Sequence, residues 1–161
     1  MVSIGFFSND SLFCRLIQLV TCSTINHAAI GFVKDGKPMW LQASVHGVDI
    51  VDRNWLGGLT EEYQILADVE NEVELAEKKV GERYAYIALF GFLLMTIFGW
   101  FGIKMNNPMP EPSCLFCSEL VIEAVKGDID SFRNIDPASV SPAGLLDIVR
   151  KDTKNFKRIT Q

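Results

Sequence analysis

The chain has 161 residues, of which 48% are hydrophobic and 22% are charged. This length corresponds to one domain of ordinary size, and the high apolar fraction excludes an intrinsically disordered chain. The 15 basic and 20 acidic residues give a net charge of −5. Because gripping a phosphate backbone needs a surplus of Lys and Arg, we expect no nucleic-acid partner.

The chain begins with strand and helix signals. An apolar stretch predicts a strand over residues 1–7, and apolar positions at helical spacing predict a helix over 11–21. The start has neither a basic region nor a cleavage pattern, so we expect no signal peptide and synthesis in the cytoplasm. Two apolar runs, 28–33 and 39–43, flank Asp35-Gly36, a pair that favours a β-hairpin.

The middle of the chain adds two strands and a helix. Alternation of apolar and polar residues predicts a strand over 48–51, after a turn at His46-Gly47. A second strand is expected over 63–69. An amphipathic helix follows over 71–80 and ends at Gly81.

The last third of the chain is mainly helical. A helix is expected over about 114–126, with Gly127 as its left-handed terminator. Ser141-Pro142 has the residue types that cap and open a last helix, and the tail from Lys151 is polar. The order of elements predicts one α+β domain over residues 1–161, with an antiparallel sheet packed against helices.

Cys117 is the candidate nucleophile. The four cysteines, Cys14, Cys22, Cys114 and Cys117, are too few for a disulfide scaffold and fit buried thiols, a reactive thiol or metal ligands. Cys117 lies near the start of the helix predicted over 114–126, where the helix dipole and its amides stabilise a thiolate. The plainer alternative is a small buried thiol, which is the commoner role of a lone cysteine.

His27 and Gln42 are the candidate partners of this thiol. The chain has two histidines, and His27 opens a predicted strand, from which it can reach a helix start and act as base. His46 lies in a predicted turn, which holds it less firmly. Gln42, on the paired strand, can orient the imidazole with its carbonyl. The alternatives are a half-exposed loop histidine and a polar residue on an open sheet face.

These residues carry a resemblance to the circularly permuted papain-like cysteine hydrolases, which include NlpC-type cell-wall peptidases and, more distantly, lecithin:retinol acyltransferase-like enzymes. The opening of the chain also looks like that of small phage and bacterial members. Five motifs occur in the order of the family over residues 4–145: His27-Ala-Ala-Ile, Leu41-Gln42-Ala43-Ser44 with Gly47-Val48, Gly81-x-x-Tyr84, Cys117-Ser118-Glu119-Leu120-Val121, and Ser141-Pro142-x-x-Leu145.

The resemblance implies a permuted papain-like fold and a role for each site residue. Cys117 would be the nucleophile, His27 the base and Gln42 the orienting residue, while Tyr84 would lie near the nucleophile and help to stabilise the oxyanion. Many relatives carry Glu where this chain has Gln42. A neutral Gln can still orient the ring, but it stabilises an imidazolium less than a carboxylate does.

The implied activity is hydrolysis of an amide or ester bond through an acyl-enzyme, without a cofactor or metal. Cell-wall peptide is the first expected substrate and an acylated or lipid-linked molecule the second. If the chain is phage-encoded, a place in the virion tail is expected. The alternatives are a non-enzymatic adaptor or tail component that keeps the fold, and an acyltransferase or lipid-directed hydrolase.

Cys114 has its own alternatives. Cys114-x-x-Cys117 could be a redox pair, or half of a zinc site completed by Cys22 and a histidine. The chain has no second Cys-x-x-Cys and no His-x-x-His, which disfavours zinc. A reversible Cys114–Cys117 disulfide could switch the nucleophile off.

Residues 85–103 contain no charged side chain over nineteen positions, a length that suffices for a membrane span. A single span would separate His27 from Cys117 by about 30 Å of hydrocarbon, whereas a Cys–His dyad requires contact. We therefore expect an apolar helical insertion that folds back beside the site, and contact with a protein partner or a membrane through it.

Overall fold

The computed structural model describes residues 1–10, 15, 18, 23–44, 46–84, 94, 97–103 and 114–159. Its strands are β1 (Ser3–Phe7), β2 (His27–Lys34), β3 (Lys37–Ser44), β4 (Gly47–Asp52), β5 (Leu59–Ile65), β6 (Arg83–Tyr84), β7 (Cys114–Leu115) and β8 (Phe156–Arg158). Its helices are α1 (Glu70–Glu77), α2 (Cys117–Val125) and α3 (Pro142–Lys151), with short 3-10 turns at Arg53–Trp55, Asp130–Phe132 and Pro137–Ser139.

Six strands form one sheet in the order β4-β3-β2-β1-β5-β8. Every neighbouring pair in it is antiparallel. The short strands β6 and β7 pair in parallel as a separate ribbon. The predicted fold class, a single α+β domain with an antiparallel sheet and helices, is confirmed.

The hairpin predicted at Asp35-Gly36 is present. β2 and β3 pair up to Lys34 and Lys37, and the two turn residues have φ of 51° and 75°. A two-residue turn with both φ angles positive matches the right-handed twist of the flanking strands. This hairpin sets the register of the two strands that carry His27 and Gln42.

The main core lies between one face of the sheet and the helices. Ile30 and Leu41 belong to this core, together with Leu120 of α2 and Leu145 of α3. Since alternate residues of a strand point to opposite faces, the other face carries a smaller apolar cluster, formed by Phe7, Ala29, Trp40 and Val51.

Trp40 packs flat against two glycines on this second face. A Cβ atom on Gly5 or Gly31 would lie 2.7 Å or 2.6 Å from the Trp40 ring. Both distances are shorter than any normal contact, so the ring can occupy this place only because these two positions have no side chain. The indole is 1% exposed.

Some element boundaries differ from the sequence prediction. The strand predicted over 63–69 spans Leu59–Ile65 instead, because Glu61 and Glu62 are buried by ion pairs with Arg150 and Arg53 and so escape a hydropathy pattern. The helix predicted from 114 begins at Cys117, and the two preceding residues form β7.

The end of α2 and the tail that follows α3 also differ from the prediction. Gly127 does not have the positive φ expected of a terminator; α2 ends through Lys126, whose N–H donates to the Ile122 carbonyl. The polar tail contains β8, which adds to the sheet beside β5. In contrast, Ser141 caps α3 as predicted, with its side chain accepting from the Gly144 N–H at 3.0 Å.

Two predicted segments fall largely outside the described residues. Of the helix predicted over 11–21, Arg15 and Gln18 are described, and both are helical. Of the predicted insertion at 85–103, residues 94 and 97–103 are described, and 94 and 97–100 are helical. Within the part of the chain that the structure describes, no helix is both long enough and apolar enough to cross a membrane.

Candidate active site

His27 and Gln42 are joined by a hydrogen bond. The imidazole Nε2 lies 2.8 Å from Oε1 of Gln42. Because a carboxamide oxygen only accepts, Nε2 carries the hydrogen of the neutral ring and donates it, and Nδ1 bears the lone pair. The structure thus brings together two of the residues singled out in the sequence.

The strand register explains this contact. β2 and β3 pair with Ile30 opposite Leu41, and continuing this register sets Ala29 opposite Gln42 and His27 opposite Ser44. His27 and Gln42 are therefore diagonal neighbours on one face of adjacent strands, a spacing that long side chains can bridge. On the other side, His27 pairs with Phe7 of β1, and their ring centroids are 5.8 Å apart.

Burial is the main influence on the titration of His27. It lowers the pKa of the imidazole below 6.5, while the hydrogen bond that the ring donates to Gln42 and the charge of Asp49 act in the opposite direction. Burial disfavours the charged ring. At neutral pH the imidazole is therefore uncharged, which is the state a general base requires.

Cys117 is the first residue of α2 and is a buried thiol, 3% exposed. The helix start is held from two sides. The Glu119 carboxylate accepts from the Phe116 N–H at 3.4 Å, and the Ser118 hydroxyl donates to the Val140 carbonyl at 2.6 Å. The positive end of the helix dipole lies at this position and favours a thiolate.

Glu119 adds a second titrating group to the start of α2. Burial, which is the largest influence, raises the pKa of its carboxyl to about 7. The hydrogen bond from the Phe116 N–H acts in the opposite direction. Near neutral pH a large fraction of this carboxyl is protonated and therefore uncharged. Glu119 thus repels a thiolate on Cys117 less than a fully ionised glutamate would.

A chain of backbone contacts connects the start of α2 to the end of the sheet at which His27 lies. β7, which precedes Cys117 by one residue, pairs with β6. The chain just before β6 bonds to β4, with the Val48 N–H donating to the Glu82 carbonyl at 2.9 Å and the Gly81 N–H to the Val48 carbonyl at 2.8 Å. β4 starts at Gly47, opposite Ser44, and Ser44 is in register with His27.

The two halves of the site approach from different faces of the sheet. α2 packs on β2 and β3 through the main core, which includes Ala28 and Ala43. His27 and Gln42 alternate with these residues and share the opposite face with Phe7 and Trp40. The geometry of the sheet thus leaves the strand ends, near the start of α2, as the route by which a thiol on α2 would reach the imidazole.

Tyr84 and Cys114 are described through their backbones. Tyr84 pairs with Leu115, two residues before Cys117, and Cys114 pairs with Arg83. The side chains of Tyr84 and Cys114 lie outside the described part of the structure, as do Cys14 and Cys22 altogether. His46, the histidine set aside in the sequence, is exposed in the turn between β3 and β4.

Asp49 is a neighbour of the site that the sequence reasoning missed. It lies on β4 directly opposite Gln42, and its charge raises the pKa of His27. A signal for it existed in the sequence. Once the predicted strand over 48–51 pairs with the Gln42 strand, its alternation leaves Asp49 as the polar residue available to that face.

The described residues offer no alternative candidate active site, either as a metal cluster or in the cavity described below. Among the described residues, no group of three or more His, Cys, Asp and Glu side chains could hold a metal ion. A cavity of about 350 Å³ lies at the other end of β2, lined by Phe32, Lys34, Val73 and Glu77 among others. Its lining contains neither a thiol nor an imidazole.

Comparison with known proteins shows the fold but not a family. No protein-family model and no curated protein matches the chain. Among solved structures, the chain is similar to metalloprotein yiiX from Escherichia coli O157:H7, a protein described as DUF1105, with a TM-score of 0.65 and 14% identity. The match covers 99% of this chain and 95% of that one, so the two proteins share a fold over nearly their whole lengths.

Proposed function

We propose that the chain is a thiol hydrolase of the circularly permuted papain-like type, which cleaves an amide or ester bond through an acyl-enzyme on Cys117. The hydrogen bond between His27 Nε2 and Gln42 Oε1, 2.8 Å long, carries the proposal. It fixes the ring and leaves Nδ1 as the basic nitrogen, at the end of the sheet where α2 begins. A base, an orienting amide and a thiol at a helix start are the three parts that this chemistry needs.

In the proposed reaction, Nδ1 of His27 takes the proton of the Cys117 thiol while the sulfur attacks the substrate carbonyl carbon. A C–S bond forms, and the carbonyl oxygen becomes an oxyanion, which the amides at the start of α2 and the Tyr84 hydroxyl would stabilise. The Nδ1 proton then passes to the leaving amine or alcohol as the C–N or C–O bond breaks. Water hydrolyses the thioester, giving one proton to Nδ1, which returns it to the departing sulfur.

The uncharged His27 determines how the thiol is activated. Since burial lowers the pKa of this ring, the resting imidazole is uncharged and can accept the thiol proton. In the proposed reaction this proton moves during the attack. Gln42 then stabilises the imidazolium through the same hydrogen bond, which is stronger when its donor is charged.

Cell-wall peptide is the first substrate class that we propose, because cell-wall peptidases are common among the hydrolases that the motifs resemble. A protein made in the cytoplasm meets this substrate only when it is delivered across the membrane, for example in a phage tail. An acylated substrate is the second class. It is favoured by four exposed apolar side chains near the end of the predicted insertion: Phe98, Trp100, Phe101 and Ile103.

The test combines alkylation and turnover. Iodoacetamide at neutral pH should label Cys117 first, and Cys117→Ser should abolish release of product from peptidoglycan fragments or from acyl esters. Cys114→Ser is the matched control, since it removes a thiol three residues away and should keep most of the activity. Four equally inert thiols and no turnover would contradict the proposal and favour a non-enzymatic adaptor. An inactive Cys114→Ser with an active Cys117→Ser would show that the thiol is wrongly assigned.

A further inference from the structure

We infer that Asp49 is a positioning residue for His27, and that its carboxylate supplies the negative charge that Gln42 lacks. The inference deepens the proposed function and rests on it for its catalytic consequence. In the family that the motifs resemble, many members carry Glu at the position of Gln42. In this chain the negative charge would come from Asp49 on β4, the strand next to the one that carries Gln42.

The register of three adjacent strands supports this role. Gln42 and Asp49 are directly opposed across β3 and β4, so both side chains leave the same face of the sheet, with Cβ atoms roughly 4.5–5.5 Å apart. Gln42 in turn bonds to His27 on β2. Imidazole, carboxamide and carboxylate therefore follow one another across the sheet.

The environment of the Asp49 carboxylate also supports a role. Its Oδ1 atom is buried, and no hydrogen-bond partner for that atom exists among the described residues. Burying a carboxylate oxygen without a hydrogen bond lowers stability. A negative charge beside Gln42 favours the charged ring when His27 becomes an imidazolium, which happens during the proposed reaction.

Two other charged groups on this face are already paired. Arg53 and Glu62 form an ion pair, and the Arg53 guanidinium also stacks over Trp40, 4.7 Å from its ring centroid. On β1 the neighbour of His27 is the uncharged Phe7, and the titrating groups at the start of α2 are Cys117 and Glu119. Of the charges on the described elements, that of Asp49 acts on His27 and raises its pKa.

The test is an NMR titration of the His27 ring in three proteins. The chain has two histidines, so comparison with a His27→Gln spectrum assigns the signal. Asp49→Asn should shift the midpoint to lower pH, because it removes the charge that favours the imidazolium. Asp52→Asn is the control. This substitution removes the same charge from the same strand, but the side chain of residue 52 points to the other face of the sheet. In the wild type the Asp52 carboxylate accepts from the Asn54 N–H at 2.8 Å, and the asparagine oxygen can accept the same hydrogen bond.

Activity gives a second readout. In Asp49→Asn, kcat/KM at neutral pH should fall and the acid limb of its pH profile should move to lower pH. Adding Gln42→Glu in the same chain should return the charge and move the limb back. If the His27 midpoint is the same in Asp49→Asn and in the wild type, the inference is overturned even if the protein is an active hydrolase. If the midpoint moves but Cys117 is inert, the electrostatic role of Asp49 stands and the proposed function fails.

A folding defect would not leave the question open. Asp49→Ser makes the same charge change with a smaller side chain. It should shift the His27 midpoint in the same direction as Asp49→Asn. A His27 midpoint that stays at the wild-type value in a folded Asp49→Ser protein would overturn the inference.

Discussion

Gln42→Ala tests the central contact of the site. In the wild type, Gln42 is 5% exposed, and its Oε1 accepts the buried Nε2–H of His27 at 2.8 Å. Alanine removes the acceptor and leaves this donor buried without its partner. Leaving a buried donor unsatisfied costs about 1–3 kcal/mol, and we expect the free energy of unfolding to fall by that amount.

The same substitution should reduce catalysis through a separate effect. In the proposed transition state His27 is an imidazolium, and a hydrogen bond to a charged group contributes about 1.5–3 kcal/mol. Its loss corresponds to a fall in kcat/KM of roughly ten- to a hundredfold. Gln42→Glu should behave differently, because a carboxylate keeps the acceptor and adds a charge that raises the pKa of His27.

Urea unfolding and initial-rate measurements on a turned-over substrate give both quantities. Gln64→Ala is the matched control, since it deletes the same side chain from a half-buried position on β5 of the same sheet, away from His27. If Gln42→Ala is no less stable and no less active than Gln64→Ala, the hydrogen bond has no role in orienting the ring, and the catalytic assignment of Gln42 is refuted.

Two further predictions concern stability. The pKa of His27 is lowered by folding, so the unfolded chain binds more protons; stability should be complete above about pH 6.5 and decline as the pH falls from there through the folded pKa. The urea midpoint of the wild type minus that of His27→Gln should therefore decrease as the pH falls across this range. The raised pKa of Glu119, which acts in the opposite direction, is common to both proteins and cancels. Separately, a Cβ on Gly31 would lie 2.4 Å from Ser3 Oγ and 2.6 Å from the Trp40 ring, so Gly31→Ala should lower the free energy of unfolding by about 1–3 kcal/mol. Gly57→Ala, with nothing within 4 Å, should not; equal urea midpoints for the two variants would contradict this reasoning.

The sequence predicted the hairpin of β2 and β3 well because its signals are local. Asp35-Gly36 determines the turn, and the turn determines the register that makes Gln42 a diagonal neighbour of His27. The helix α3 was predicted for the same reason, since Ser141 and Pro142 are local capping signals. Each of these predictions depended on residues only a few positions apart.

Elements whose stability depends on distant residues were harder to predict. The first half of β5 contains Thr60, Glu61 and Glu62, which look exposed in the sequence. Ion pairs with Arg150, 89 positions away, and with Arg53 bury the two glutamates. β8 lies in a polar tail and becomes a strand because β5 offers it an edge. Periodicity within one segment contains no information on such partners.

The residues around the site also differ in whether local or distant sequence signals reveal them. Gln42 was recognisable because the hairpin makes it a near neighbour of His27, whereas Asp49 needed the β3–β4 register to connect it to the imidazole. At rest the site contains a neutral buried ring, and the proposed reaction must create an imidazolium and an oxyanion there. The first charge would develop beside Gln42 and Asp49, and the second at the start of α2, where the helix dipole is positive. In such a site the positive and the negative charge form in different places. The resting site needs no ion pair, because the groups that stabilise the imidazolium and the oxyanion are already in place when these charges form.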